Sequence, residues 1–164
     1  MITGFGHVGI STSSIQRLLP FYVDLLGCTV MGEFVWEVGT TRIDKVVGLS
    51  GSSAKSVMVR FSDGVLIEIF EYKTPVPKPK MPDHPVHDHG ITYFCLLVDD
   101  LESEYRRLIK KGVPFNTEPQ DFVSVKVTYC RDPDGNIIEL MERAKGYPNP
   151  IVGVIATGDA PPKR

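Results

Sequence analysis

Residues 63–71 (DGVLIEIFE) and residues 134–142 (DGNIIELME) carry the same pattern, and this repeat decides the fold. Both segments run Asp-Gly-x-aliphatic-Ile-Glu-aliphatic-x-Glu. The Asp-Gly pair is typical of a turn, and the residues after it are typical of a strand. Such a repeat indicates two copies of one supersecondary unit. Units too small to bury a core alone are expected to pack together.

The residues before the first copy of the repeat predict a strand, a helix and further strands. Apolar residues between 15 and 26 recur at helical spacing, with Ser13 or Ser14 as the expected cap and Gly27 as the expected end. Residues 37–53 are rich in glycine and serine and are expected to form a mobile or irregular connection. The expected elements are a strand at 4–11, a helix at 15–26 and strands at 28–36, 56–61 and 66–72.

The same order recurs after residues 73–89, which hold five prolines and three histidines and predict a linker without regular structure. Asp99 or Asp100 is expected to cap a helix that ends at Gly112. Strands are expected at 90–98, from 113 to 115, at 123–130 and at 136–142. The organisation is therefore a module at 1–72, the linker at 73–89, a second module at 90–143 and an irregular tail at 144–164, in one structural domain.

Composition excludes several classes of function. The net charge is -2 and acids and bases are interspersed, which argues against a nucleic-acid-binding protein. No apolar run approaches the ~18 residues of a membrane span, and the N-terminus lacks the features of a secretory signal. We expect a cytoplasmic protein whose three cysteines, Cys28, Cys95 and Cys130, are buried and reduced.

Glu68 and Glu139 occupy equivalent places in the repeat, each inside an apolar strand. A carboxylate among apolar residues is unfavourable unless it is paired, so its occurrence twice indicates a bound cation or a proton-transfer role. The alternative is pairing with a base such as Arg60 or Lys126. His7, on a short apolar strand, either is an ordinary core histidine or completes a His–Glu–Glu set suited to Mn, Fe, Co, Ni or Zn.

The GHVGI strand at 6–10, the DPDGNIIEL turn and strand at 132–140 and the paired units together resemble the vicinal-oxygen-chelate superfamily of glyoxalases, epimerases and ring-cleaving dioxygenases. The resemblance covers about residues 4–142. It implies an α+β fold of two tandem βαβββ modules whose mixed sheets form a curved half-barrel cleft with helices outside. It also implies a homodimer and a divalent metal. By position the ligands are His7, Glu68, Tyr93 and Glu139, with Tyr93 standing where much of the family has histidine.

Three functions stay open at this point. The first is a glyoxalase- or epimerase-like lyase or isomerase, in which a metal binds two oxygens of a small substrate and Glu139 or Glu68 moves a proton α to a carbonyl. The second is a ring-cleaving iron dioxygenase, which needs a second histidine. Tyr93 breaks that triad unless His89 substitutes for it.

The third function is metal-free binding of a small apolar or aromatic ligand. Aromatic residues that could line such a pocket are Phe34, Trp36, Phe94, Phe122 and Tyr129. The linker histidines, His84, His87 and His89, either are metal ligands or belong to a solvated loop, and the composition of the segment favours the loop.

Overall fold

The computed structural model describes residues 1–79, 81–122 and 124–145. The chain divides into two compact units, Met1–Lys80 and Met81–Arg164. The first unit contains β1 (His7–Ser11), α1 (Ile15–Pro20), β2 (Thr29–Trp36), α2 (Thr41–Val47), β3 (Ser53–Arg60) and β4 (Leu66–Thr74). The second contains β5 (Tyr93–Leu97), α3 (Leu101–Lys110), β6 (Gln120–Asp121), β7 (Val125–Arg131) and β8 (Ile137–Arg143). Both follow the βαβββ order, so the predicted α+β class is confirmed.

The two sheets have the same topology and register. The strand orders are β1-β4-β3-β2 and β5-β8-β7-β6, with the first and last strands of each module parallel and the other pairs antiparallel. Gly9 pairs with Glu68 in the first sheet, and Cys95 pairs with Glu139 in the second. The sequence repeat is therefore a structural repeat in which Glu68 and Glu139 occupy equivalent positions.

The core of each module lies between one face of its sheet and its first helix. Ile67 and Ile69 of β4 are buried, together with Leu18 of α1. In the second module Ile138 and Leu140 are buried, together with Leu108 of α3. Alternation along β4 and β8 thus places the aliphatic neighbours of each glutamate in the core. Each glutamate is left on the opposite face.

The last glutamate of the repeated motif caps the first helix of its own module. Glu71 Oε2 accepts a hydrogen bond of 2.7 Å from the backbone N–H of Ile15, and Glu142 Oε2 accepts one of 2.8 Å from Leu101. These N–H groups belong to the first helical residues and have no partner within the helix. Ser14 and Asp100 are the N-cap residues, which agrees with the sequence prediction.

Replacing Glu71 or Glu142 with alanine is expected to lower the free energy of unfolding by about 1–2 kcal/mol, because each change removes a charge-assisted hydrogen bond to a helix N-terminus. Chemical denaturation measures the loss, and the exposed Glu118→Ala is the matched control. Equal stability of Glu118→Ala and either capping variant would contradict this role.

Residues 37–53 differ from the sequence prediction because they contain α2, which ends at Gly48 with a φ of 68°. Asp44 stabilises the segment: its carboxylate accepts hydrogen bonds from the N–H groups of Gly51 (2.9 Å) and Ser52 (2.8 Å). The Ser52 hydroxyl, followed by these N–H groups, holds the pKa of Asp44 below its ordinary value. The prediction was wrong because glycine and serine content does not show where a side chain will accept hydrogen bonds from the backbone N–H groups of a loop.

Two further predictions were wrong. The strand predicted from residue 113 to 115 is absent: Phe115 makes a single bridge to Cys130, and the short edge strand β6 comes later. Pro114 and Pro119 lack the N–H groups that a longer edge strand would use. Cys28 and Cys130 are buried as expected, but Cys95 is exposed.

Part of the predicted linker is attached to the second module. The Arg131 guanidinium donates to the backbone carbonyls of Pro82 (3.5 Å), His84 (2.9 Å) and Gly135 (2.9 Å). Asp132 holds the turn itself by accepting from the backbone N–H groups of Asp134 and Asn136. The DPDG turn is therefore a docking point for residues 82–84. The tail beyond residue 145 lies outside the described residues.

Among the described residues, no helix has both the length and the apolar character needed to cross a membrane.

Candidate functional site

In the first module the centre of the candidate site is Glu68 on β4. Its Oε1 accepts a hydrogen bond of 2.8 Å from the Ser56 hydroxyl, and its Oε2 lies 3.4 Å from His7 Nε2. The parallel pairing of β1 with β4 brings His7 beside the glutamate, and Gly9 occupies the position directly opposite Glu68 without a side chain. The His7 side chain is 45% exposed and that of Glu68 is 20% exposed, so both are accessible.

The partners of Glu68 are thus a hydroxyl and an imidazole, and the alternative pairing with Arg60, an exposed residue, is not what the structure shows. Two donor atoms that each lie about 2.1 Å from one tetrahedral ion are about 3.4 Å apart. The separation of His7 Nε2 and Glu68 Oε2 therefore suits two ligands of one ion as well as it suits an ion pair.

Four aromatic side chains lie on the same face of the first sheet as Glu68. Trp36 contacts the rings of Phe34, Phe70 and Tyr72, with centroid separations of 5.8, 6.3 and 5.5 Å. We call these four residues the aromatic cluster. Trp36 is buried and donates its indole N–H to Ser52, whereas Phe34 is 49% exposed. Burial, followed by the charge of Glu68, raises the pKa of Tyr72. The site thus combines the polar pair of His7 and Glu68 with the apolar surface of the aromatic cluster.

In the second module Glu139 is only 6% exposed, and Cys95 lies directly opposite it in the sheet. The Cys95 thiol donates a long hydrogen bond of 3.9 Å to the backbone carbonyl of Leu96. Although Cys95 reaches the surface, burial of its thiol raises the pKa to about 12, and the nearby Glu139 carboxylate acts in the same direction. At neutral pH the thiol is therefore protonated.

Tyr93 has a different neighbour from the one its position in the family pattern implies. The centroid of its ring lies 5.0 Å from that of Tyr129. Burial raises the pKa of Tyr129, and the nearby Tyr93 hydroxyl and the charge of Glu139 add to this effect. The sheet partner of Tyr93 is Ile137. Tyr93 therefore belongs to a tyrosine pair, and the residue opposite Glu139 in the sheet is Cys95.

Of the predicted site residues, the structure brings His7 and Glu68 into contact, whereas Glu139 lies opposite Cys95 in the sheet, a residue that was not predicted for the site. Within residues 1–79, 81–122 and 124–145, His, Cys, Asp and Glu form no group of three that could hold a metal ion. Sequence reasoning missed Ser56 and Cys95. Alternation could have identified Cys95, since residues 93 and 95 of one strand lie on the same face.

The remaining residues of the sequence analysis lie elsewhere. His84 Nδ1 is 3.5 Å from Asp88 Oδ2, and His87 Nε2 is 3.9 Å from Asp88 Oδ1. His89 and Phe122 are exposed. Phe94 lies on the face of β5 opposite to Tyr93.

Comparison with known proteins gives a family match over most of the chain. The model of the Glyoxalase/Bleomycin resistance protein/Dioxygenase superfamily matches residues 4–140. Lactoylglutathione lyase of Schizosaccharomyces pombe is 24% identical over 151 residues, covering 87% of this chain and 48% of that protein. The uncharacterized protein YurT of Bacillus subtilis is 31% identical over 67 residues, covering 41% of this chain and 53% of YurT. The chain thus spans about half the length of the curated relatives it matches.

Solved structures share the fold. A glyoxalase family protein from Bacillus cereus matches with a TM-score of 0.77 and 24% identity, covering 87% of this chain and 95% of that one. FosX, a fosfomycin resistance protein from Listeria monocytogenes solved with Mn(II) and sulfate, has a TM-score of 0.58 and 15% identity, with coverage of 90% and 98%. The same topology in the structures and the match over residues 4–140 lead to one conclusion: the chain belongs to the Glyoxalase/Bleomycin resistance protein/Dioxygenase superfamily.

Proposed function

We propose that the protein is a metal-dependent lyase or isomerase that moves a proton α to a carbonyl of a small, oxygen-chelating substrate. The observation that carries this proposal is the His7–Glu68 pair, whose atoms lie 3.4 Å apart, together with the equivalent position of Glu139 in the second module. The similarity to a lactoylglutathione lyase and the Mn(II) bound to FosX support it.

In this proposal His7, Glu68 and Glu139 supply metal ligands. A divalent ion bound to them would act as a Lewis acid that stabilises negative charge on two neighbouring substrate oxygens. Glu139 or Glu68 accepts the proton from the carbon α to the carbonyl, the C–H electron pair forms a C=C bond, and the carbonyl oxygen takes up the charge. Return of that proton to the former carbonyl carbon, while the proton of the adjacent substrate hydroxyl moves to the other oxygen, gives the isomer. The Ser56 hydroxyl orients Glu68 throughout.

Metal content tests the proposal directly. Protein purified without an affinity tag or chelator is expected to hold about one equivalent of a transition metal per chain, and the His7→Ala/Glu139→Ala double variant is expected to lose it. Elemental analysis by mass spectrometry gives the stoichiometry and the identity of the metal. His87→Ala, which alters an exposed linker histidine, is the matched control and should retain the metal. Absence of metal after incubation with Mn, Fe, Ni or Zn would overturn the proposal.

A second function, binding of a small aromatic ligand without metal, is favoured by the aromatic cluster beside Glu68 and by the tyrosine pair at position 93. Trp36 is the single tryptophan of the chain, so its fluorescence reports on this face alone. In this case chelator-treated protein should show saturable quenching by small, uncharged aromatic compounds.

A homodimer also stays a prediction, and it is supported by apolar side chains exposed along the edge strand β2, which are Val30, Met31 and Val35.

Phe34→Ala is expected to weaken binding of an aromatic ligand by about 1 kcal/mol, or roughly fivefold in Kd, because it removes the exposed ring of the cluster. Titration followed by Trp36 fluorescence measures the change. Val35→Ala is the control, since Val35 is the next residue, is 53% exposed and points to the other face of β2. Equal affinities of the two variants would exclude the cluster as the binding surface.

A further inference from the structure

Trp36 connects the aromatic cluster, because its ring contacts each of the other three rings. Its side chain is buried, whereas that of Phe34 is exposed. Ala54 of β3 lies opposite Trp36 on one side and opposite Tyr72 on the other. The small side chain of Ala54 lets the rings of Trp36 and Tyr72 meet across β3, with centroids 5.5 Å apart. The orientation of Trp36 therefore determines how the exposed part of the cluster is presented to a ligand.

Two side-chain hydrogen bonds in series connect Trp36 to helix α2. The indole Nε1–H donates to the Ser52 hydroxyl over 2.9 Å, and this hydroxyl donates to Asp44 Oδ1. We call these three residues the Trp36–Ser52–Asp44 chain. The direction of both bonds is fixed, because an indole N–H can only donate and an ionised carboxylate can only accept. Ser52 is fully buried, so its hydroxyl depends on these protein partners.

The carboxylate of Asp44 is required at the end of this chain. It also accepts from the backbone N–H groups of Gly51 and Ser52, so three donors converge on its two oxygens. Asparagine has nearly the same shape but only one acceptor oxygen, and its NH₂ group would face one of these donors. Asp44→Asn is therefore a change of small volume that disrupts the chain.

Helix α2 depends on the same carboxylate. None of the residues of α2 is buried, so packing contributes little to holding the helix in place. The bonds from Asp44 to residues 51 and 52 join the helix to the start of β3. The position of α2 and the orientation of Trp36 are thus set by one group.

We propose that Asp44 and Ser52 are positioning residues of the ligand site, which fix the Trp36 indole and, through it, the aromatic cluster. For its effect on a ligand this inference rests on the proposed binding at the cluster, but the state of Trp36 is measurable without a ligand. Asp44 and Ser52 act through Trp36 and not by touching the ligand. Binding at the cluster and docking of α2 are then coupled, because each is more favourable when the other is in place.

The Raman band of the indole N–H reports the first bond of the chain, since Trp36 is the single tryptophan. The wild type is expected to show the band of a hydrogen-bonded indole, and Ser52→Ala the band of an unbonded one. Asp44→Asn is expected to shift the band in the same direction by a smaller amount, because the Ser52 hydroxyl loses the acceptor that polarises it. Asp63→Asn is the matched control: Asp63 is exposed, accepts from the N–H of Val65 at 3.0 Å, and should leave the band unchanged.

A double-variant cycle tests whether Asp44 acts through Ser52. The probe is 4-nitrobenzyl alcohol, a small uncharged aromatic compound, and ligand-detected NMR gives its Kd without using Trp36 as the signal. Asp44→Asn and Ser52→Ala are each expected to raise Kd about fivefold, the effect of losing roughly one hydrogen bond that orders the binding surface. In the Ser52→Ala background, Asp44→Asn is expected to raise Kd by less than about twofold, because the chain is already broken.

The outcomes separate this inference from the proposed binding. Full additivity of the two losses, or an indole band that Asp44→Asn leaves unchanged, would refute the positioning role. The band of an unbonded indole in the wild type would refute it without any variant, so a Ser52→Ala protein that fails to fold does not prevent the test. If the wild type binds no probe, binding at the cluster is overturned, and the Raman bands alone decide whether Asp44 and Ser52 position Trp36. Shifted bands together with a non-additive cycle, in variants that circular dichroism shows to be folded, would establish the role.

Discussion

Gly135→Ala is expected to lower the free energy of unfolding by about 3 kcal/mol, which for a chain of this size corresponds to a decrease in Tm of roughly 6–12 °C. The reason is a close backbone approach. A Cβ atom at residue 135 would lie 2.1 Å from the carbonyl oxygen of Pro82, and the residue has a φ of +79°. The neighbour is main chain and cannot rotate away, so the turn or residues 82–84 must move. Such movement would also weaken the hydrogen bonds from Arg131 to Pro82 and His84.

The internal repeat supplies the control for this experiment. Gly64 occupies the equivalent Asp-Gly turn of the first module with a φ of +94°, but nothing lies within 4 Å of a Cβ placed there. Gly64→Ala should therefore show only the backbone strain, about 1 kcal/mol. Thermal and chemical denaturation of both variants measures the difference. If the two variants lose the same stability, the contact between residue 82 and the DPDG turn contributes nothing to the fold.

Most of the architecture could be predicted from the sequence because the closing strands carry a strong repeat. The Asp-Gly turns, the alternation around Glu68 and Glu139 and the caps at Ser14 and Asp100 are local signals, and the structure contains all of them. Such local signals are sufficient to predict a strand, a turn or a helix cap where the preferences of neighbouring residues agree with the fold.

Interactions distant in sequence could not be predicted in the same way. Helix α2 depends on Asp44 accepting from residues seven and eight positions later, and the anchoring of residues 82–84 depends on Arg131, which lies 47 positions from His84. Neither partner has a sequence signature. The Cys95–Glu139 pair also depends on the register of two strands that are far apart in the chain. The sequence alone therefore could not show that Cys95 lies opposite Glu139.

Glu139→Gln is expected to slow proton transfer by about 10²–10⁴-fold, because an amide keeps the shape of the side chain but cannot accept a proton from carbon. The measurement is exchange of the hydrogen α to the carbonyl for deuterium in D₂O, followed by NMR with lactoylglutathione and small 2-hydroxy ketones as probes. Metal content is measured in the same samples. A variant that keeps its metal but exchanges slowly has lost the base, whereas a variant that loses its metal has lost a ligand.

Glu68→Gln is the informative comparison, because the two glutamates are equivalent in sequence and differ in their partners. Glu68 is held by the Ser56 hydroxyl and lies beside His7, an arrangement that fixes a ligand. Glu139 is buried, with only 6% of its surface exposed, and its partner in the sheet is Cys95, whereas that of Glu68 is Gly9. We therefore expect Glu68→Gln to reduce metal affinity more than exchange rate, and Glu139→Gln to do the reverse. The opposite result would assign the base to the first module, where the hydroxyl of Ser56 would then help to position it.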